Sequence, residues 1–253
     1  MALPIHVAAV QYATEDGNHA ANTDHAIHLL DTAMHTSDLV LLPDMSFTCS
    51  LKPDDLRSHA QPARGPITTI VRQIAVDRNA CACFCIPERD GDRIYKTAML
   101  VCADGGIIGR QRKLHLHPDE ADAGFSAGDV LNLLTCYLGK IGVLIGDDAF
   151  DVKNAVALAN QGAQVLLVPS VAVADQADDM DATIRKWEDA LRACASKSGC
   201  FVVWANKIGA DLGKPAVGNS MIISPDGKII ARADMMEEVV RTQITLMGIA
   251  RAA

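Results

Sequence analysis

Two short runs of consecutive apolar residues constrain this fold more than any other feature. In 38-DLVLLPD-44 and 141-IGVLIGDD-148 the apolar residues follow one another instead of alternating with polar ones. A strand tolerates that only when both of its faces are covered, so these strands require packed layers on either side. Segments of helical period are present to supply the cover. The stretch 18–36 places Ala21, Ile27, Leu30 and Met34 on one face, and 65–79 has Pro66 just inside its start. Residues 152–163 and 177–199 are further helices, the second stopping at Gly199. Strands are predicted at 4–13, 164–170, 200–209 and 237–246.

Hairpins narrow the choice. The strands 80–90, 93–105 and 106–116 are separated by Asp-Gly and Gly-Gly turns. Residues 130–148 form two strands around a Gly-Lys turn, and 218–234 reverses through Pro-Asp-Gly. Hairpins mixed with helical crossovers exclude a purely parallel doubly wound sheet. They lead to an α/β fold with a mixed sheet, or two packed sheets with helices outside. No repeat, low-complexity block or linker divides the chain, so residues 1–253 are read as a single domain.

A chain of 253 residues, 49% apolar and 21% charged, buries a sizeable core without staples. A net charge of -8 with no Lys/Arg cluster excludes a grip on nucleic-acid phosphates. The longest apolar runs are too short to span a bilayer, and 163-AQVLLVPSVAVA-174 contains Pro169. The opening MALPIHVAAVQYA lacks a basic region and reads as a strand, so a cytoplasmic protein is expected. Of the eight cysteines, three alternate in 80-ACACFCIP-87 and share one strand face. They are read as small hydrophobes with reduced thiols, since neither nearby histidine nor C-x-x-C spacing supports a metal site.

The chemistry-bearing residues sit at strand ends: Asp44 after the first apolar run, Lys113 in 111-QRKLHL-116, and Gly146-Asp147-Asp148 after the second. Each alone has an ordinary reading as a turn residue, surface charge or helix cap. Their order does not. Together with 7-VAAVQYA-13, 39-LVLLPDMSFT-48, 125-FSAGD-129, 162-GAQVLLVPS-170, 187-WEDALRACASKSG-199, 202-VVWANKIG-209 and 218-GNSMIISPDGKII-230, the chain resembles the nitrilase superfamily of carbon–nitrogen hydrolases. The resemblance covers almost the whole chain. It implies a four-layer αββα sandwich, a homodimer or larger homo-oligomer, a small-molecule substrate, and neither metal nor organic cofactor.

The resemblance also implies a Glu–Lys–Cys triad: a thiolate nucleophile, a glutamate general base and a lysine that stabilises developing negative charge. Lys113 matches the lysine position. The glutamate position falls on Asp44 and the cysteine position on Gly146. Glu→Asp retracts the carboxylate by roughly 1 to 1.5 Å, and misplacement on that scale costs about 10²-fold in rate. Loss of a nucleophile costs on the order of 10⁶. A second family glutamate falls among 117-HPDEADAGF-125, where counting back from Phe125 gives Ala121, and a one-residue shift gives Glu120. Asp147, Asp148 and Cys49 are expected to face the substrate.

Four explanations of Gly146 stay open on the sequence. The chain is an inactive relative kept for binding or as an oligomeric scaffold. Alternatively it acts on a small amide, nitrile, carbamoyl compound or amine without a thiol, using Asp44, Lys113 and Asp148. A third possibility moves the nucleophile to Cys49, and a fourth makes Gly146 an introduced change. Elsewhere, 115-HLH-117 offers two candidate ligands but reads as exposed strand-end histidines. The acidic run 175–181 reads as a helix start that can also rim a pocket. No G-x-G-x-x-G or P-loop pattern occurs, so no nucleotide cofactor is expected.

Overall fold

A computed structural model describes residues 2–247. The chain runs through β1 (Ala2–Gln11), α1 (His19–Met34), β2 (Leu39–Leu41), α2 (Pro53–His59), α3 (Pro66–Arg78), β3 (Cys81–Asp90), β4 (Arg93–Val101) and β5 (Ile107–Arg112). Next come α4 (Pro118–Asp122), β6 (Leu133–Cys136), β7 (Gly139–Val143), α5 (Val152–Asn160), β8 (Val165–Pro169), α6 (Met180–Ser198) and β9 (Phe201–Ala205). The short β10 (Ala210–Asp211) and β11 (Lys214–Pro215) precede β12 (Met221–Ile223), β13 (Ile229–Arg232) and β14 (Glu238–Met247).

Two six-stranded sheets result, in the orders β14-β1-β2-β3-β4-β5 and β13-β12-β9-β8-β7-β6. Each has three parallel strands at its heart, β1-β2-β3 in one and β7-β8-β9 in the other, with antiparallel strands on both flanks. The double cover that the apolar runs demanded is seen in β2. Leu39 and Leu41 pack between the sheets, while Val40 turns outward to join the cluster that includes residues of α1 and α3. In β8, Val165 and Leu167 point inward, and Leu166 and Val168 join residues of α5 and α6. The layers are therefore helix, sheet, sheet, helix, as expected. Among the described residues no helix is long and apolar enough to cross a membrane.

Two boundaries differ from expectation in ways that bear on function. The strand predicted over 106–116 ends at Arg112, so Lys113 stands in the loop beyond it, held by its N–H on the Lys96 carbonyl at 2.9 Å. The helix predicted from 177 begins at Met180, because Ala177–Asp179 forms a separate 3-10 turn. The expectation of reduced cysteines is corrected at one pair. The β3–β4 register sets Ala82 opposite Val101, so Cys81 and Cys102 meet one step outward, and they form a disulfide. The other six cysteines are free and buried.

Candidate functional site

Parallel strands in both sheets release their ends into one cavity of about 650 Å³. Asp44 follows β2, Gly146 follows β7 and Val171 follows β8, and all three line it. The Asp44 N–H donates to the Ser170 carbonyl at 3.2 Å, joining the end of a strand in one sheet to the end of a strand in the other. The site is built where the two sheets meet, so a residue from either sheet can reach the same ligand.

An alternating chain of charge crosses the floor. Lys96 donates to Asp44 Oδ2 at 2.9 Å and lies 2.7 Å from Glu120 Oε1. Lys113 donates to both Glu120 oxygens at 2.7 Å and stands 3.6 Å from Asp147 Oδ2. Glu120 also accepts the His117 N–H at 2.8 Å, which fixes the first turn of α4 around its own side chain. Burial acts to raise the Glu120 pKa, but the charges of Lys96 and Lys113 outweigh it and hold the carboxyl down at about 2. For Lys96, burial favours the neutral amine, and Asp44 and Glu120 overcome that to keep it a firm ammonium. Of Ala121 and Glu120, the two residues left open on the sequence, Glu120 lines the cavity and Ala121 does not.

Asp44 is buried, and among the described residues its second oxygen, Oδ1, accepts no hydrogen bond from a nitrogen or oxygen donor. Its neighbour is Cys85, whose thiol is pushed far above the ordinary range by burial first and by the Asp44 charge second. Such a thiol is not a nucleophile.

Gly146 lies at φ +52°, in the left-handed region. A Cβ placed there would stand 3.3 Å from Lys113 Nζ and 3.6 Å from its Cε, with no other non-neighbouring atom within 4 Å. Gly146 therefore faces an ammonium, and a side chain there needs the flexible end of Lys113 to give by a few tenths of an ångström. Phe150 does not fill that place; its ring packs on Trp187 at 4.5 Å in the cavity wall.

Two expected contacts are corrected. Asp148 is not among the residues lining the cavity. It is buried and turned inward, accepting from the backbone N–H of Leu114 (3.1 Å), His115 (2.8 Å) and Ile145 (3.3 Å). Its carboxyl thereby ties the loop carrying Lys113 to the end of β7. Cys49 also lies outside the lining. Its thiol donates to the Ser50 carbonyl at 3.3 Å, and burial raises its pKa, so neither its position nor its charge state favours a relocated nucleophile. Asp147, by contrast, lines the cavity.

Sequence reading missed Lys96. The signal was present: in 93-RIYKTAMLV-101 strand alternation puts Lys96 on the face of Ala98 and Leu100, both in the core between the sheets. A lysine on such a face needs an acidic partner. Residues 115-HLH-117 do not converge as ligands, since His115 sits on Asp148 at 3.0 Å and His117 caps α4. Cys81, Cys102 and Cys136 bring three sulfurs within 4.8 Å of one another, but two of these form the disulfide. The acidic run does rim the cavity, through Asp175 and Asp179.

The sequence model described as carbon-nitrogen hydrolase matches residues 6–253. An (R)-stereoselective amidase of Pseudomonas sp is 27% identical over 248 residues, 97% of this chain and 87% of that protein. A branch 10 member of the nitrilase superfamily from Saccharomyces cerevisiae superposes with a TM-score of 0.83 at 25% identity, covering 95% of this chain and 89% of that one. A Nesterenkonia amidase shares the fold at 19% identity and a TM-score of 0.76, covering 95% of this chain and 90% of its own. A mutant of that amidase carries the acetamide moiety of fluoroacetamide covalently on its active-site cysteine.

Proposed function

This chain belongs to the carbon–nitrogen hydrolase family, and from that premise we propose that its cavity takes a small amide, nitrile, carbamoyl compound or amine and handles it without a covalent thiol intermediate. One observation carries the reading. Gly146 faces Lys113 alone, and among the described residues no free cysteine lines the cavity. In this reading Gly146 takes the place where relatives present their nucleophile, and Asp44, Lys113 and Glu120 take the remaining family positions.

The chemistry left to such a site is electrostatic and acid–base. Lys113 presents an ammonium to the space at Gly146, suited to a carbonyl oxygen or to the negative charge that develops on it. Asp44, with Lys96 on its Oδ2, is the carboxylate left to take a proton. Glu120 positions both lysines. With the thiol absent, water is the attacking group, and the absence of a side chain at residue 146 gives it room.

A second reading, an inactive relative that keeps the cavity for binding or the fold as an oligomeric scaffold, is favoured by one fact: Asp44, Lys96, Glu120 and Lys113 already neutralise one another. One experiment separates the two. The protein is incubated with ω-amides, N-carbamoyl compounds and nitriles, with ammonia release and intact mass followed together. Slow ammonia release without added mass supports non-thiol chemistry, and binding without release supports the inactive form. Turnover with a covalent adduct overturns both. The double variant Gly146→Cys, Asp44→Glu is expected to gain an acylatable thiol, because only the flexible end of Lys113 stands near the new Cβ.

A further inference from the structure

A second group of chemistry-bearing side chains lies away from the cavity. Cys81 opens β3, Cys102 follows β4 and Cys136 closes β6. Cys81 pairs with the first residue of β2, and Cys136 with the first residue of β7. The group therefore stands at the end of the sandwich opposite Asp44 and Gly146. Its members come from both sheets, β3 and β4 in one and β6 in the other. Their three sulfurs lie within 4.8 Å of one another in the core between the sheets. Spacing along the chain does not reveal this, because Cys136 arrives from the other sheet.

Three features suit the group to a metal ion. Sulfurs around one ion at about 2.3 Å stand about 4 Å apart, so once the Cys81–Cys102 bond opens, side-chain rotation within this span is enough to share one. Burial raises the Cys136 pKa, while the backbone N–H groups of Leu138 and Gly139 bond the sulfur and oppose that rise, with Asp104 a smaller charge on the side of burial. Hydrogen bonds of this kind orient and stabilise a ligating thiolate. Among the described residues no histidine, carboxylate or fourth cysteine joins the group. Three sulfurs without a fourth ligand fit a soft ion of low coordination number better than the four-coordinate zinc of structural sites.

We infer that Cys81, Cys102 and Cys136 in their reduced form bind one Cu(I) ion, and that the disulfide is the closed state of this site. The chemistry balances in two steps. A small dithiol passes two electrons to the Cys81–Cys102 bond and leaves as a cyclic disulfide, giving two protein thiols. Cu(I) then forms three Cu–S bonds and displaces the three S–H protons to solvent, with no change of oxidation state. The N–H groups of Leu138 and Gly139 meet part of the negative charge that remains. Cys136, the most exposed of the three at 7%, marks the side of entry.

Anaerobic titration of the full chain tests this. The protein is reduced with dithiothreitol, desalted, and titrated with Cu(I) against a chromophoric Cu(I) chelator. One ion per chain is expected, with a thiolate-to-copper absorption in the ultraviolet, and none without prior reduction. Cys136→Ser and Cys102→Ser, one from each sheet, are each expected to weaken binding by about 100-fold or more. Cys194→Ser, on α6 and outside the group, leaves it unchanged. Circular dichroism checks that each variant keeps the fold, and either of the two ligand variants alone suffices for the test. Binding that survives loss of Cys136 or Cys102, that occurs without reduction, or that shows no plateau at one ion overturns the inference. So does failure of the reduced protein to take Cu(I) from the chelator.

Discussion

Gly146 and Lys96 act in opposite senses on the same site. The backbone at Gly146 is left-handed, where any other residue is strained by about 1–2 kcal/mol, although a side chain would meet only the flexible end of Lys113. Gly146→Ala is therefore expected to lower the unfolding free energy by about 1–2 kcal/mol in urea titration, with the cavity intact. Lys96 is different in kind. Its ammonium lies between Asp44 and Glu120, buried, and its removal leaves two carboxyls without their common partner. Lys96→Met is expected to cost about 3–5 kcal/mol by the same measurement. Both residues were visible in the sequence, but only one was read. Gly146 declared itself through a family position. Lys96 was hidden because its partners, Asp44 and Glu120, lie far away along the chain, and only the alternation of β4 hinted that it faced inward.

Local elements set the site through two carboxyls. Asp148 holds three backbone N–H groups at the junction of β7 and the Lys113 loop, and burial raises its pKa. Asp148→Ala leaves those donors without an acceptor and is expected to cost about 3 kcal/mol, with Lys113 displaced. Sequence reading took Asp148 for a substrate contact, since its strand-end position is the same in either role and only the direction of the side chain differs. Glu120 does the corresponding work for α4, a helix of five residues that cannot persist unaided. Its pKa of about 2 lies below its ordinary 4.5. The stability it contributes is thus complete above pH 4.5 and is lost as pH falls toward 2. Unfolding free energy measured across that window should fall more steeply for the parent protein than for Glu120→Gln, which has no carboxyl there to titrate.

At the scale of the whole molecule, both sheets follow one plan: three parallel strands at the centre, antiparallel partners outside. The layers were legible, because continuous apolar runs need cover on two sides and the helical segments were long enough to give it. The shared plan was not legible, since nothing in residues 1–120 repeats visibly later. The pairing of β14 with β1 was equally out of reach, because hydrophobic pattern names a strand but not its neighbour. That pairing aligns Ala2 with Met247 and Gln11 with Glu238 along ten residues. Val240, Ile244 and Leu246 from β14 also complete the core between the sheets. A chain stopped before residue 238 is therefore expected to be insoluble on expression, with its first strand left as an open edge. The same arrangement bears on how the molecule is made. During translation β1 emerges long before the strand that closes its outer side, and contacts that distant fold slowly. For this sheet the ribosome, by the time it takes to reach β14, sets the earliest moment at which the native protein can exist.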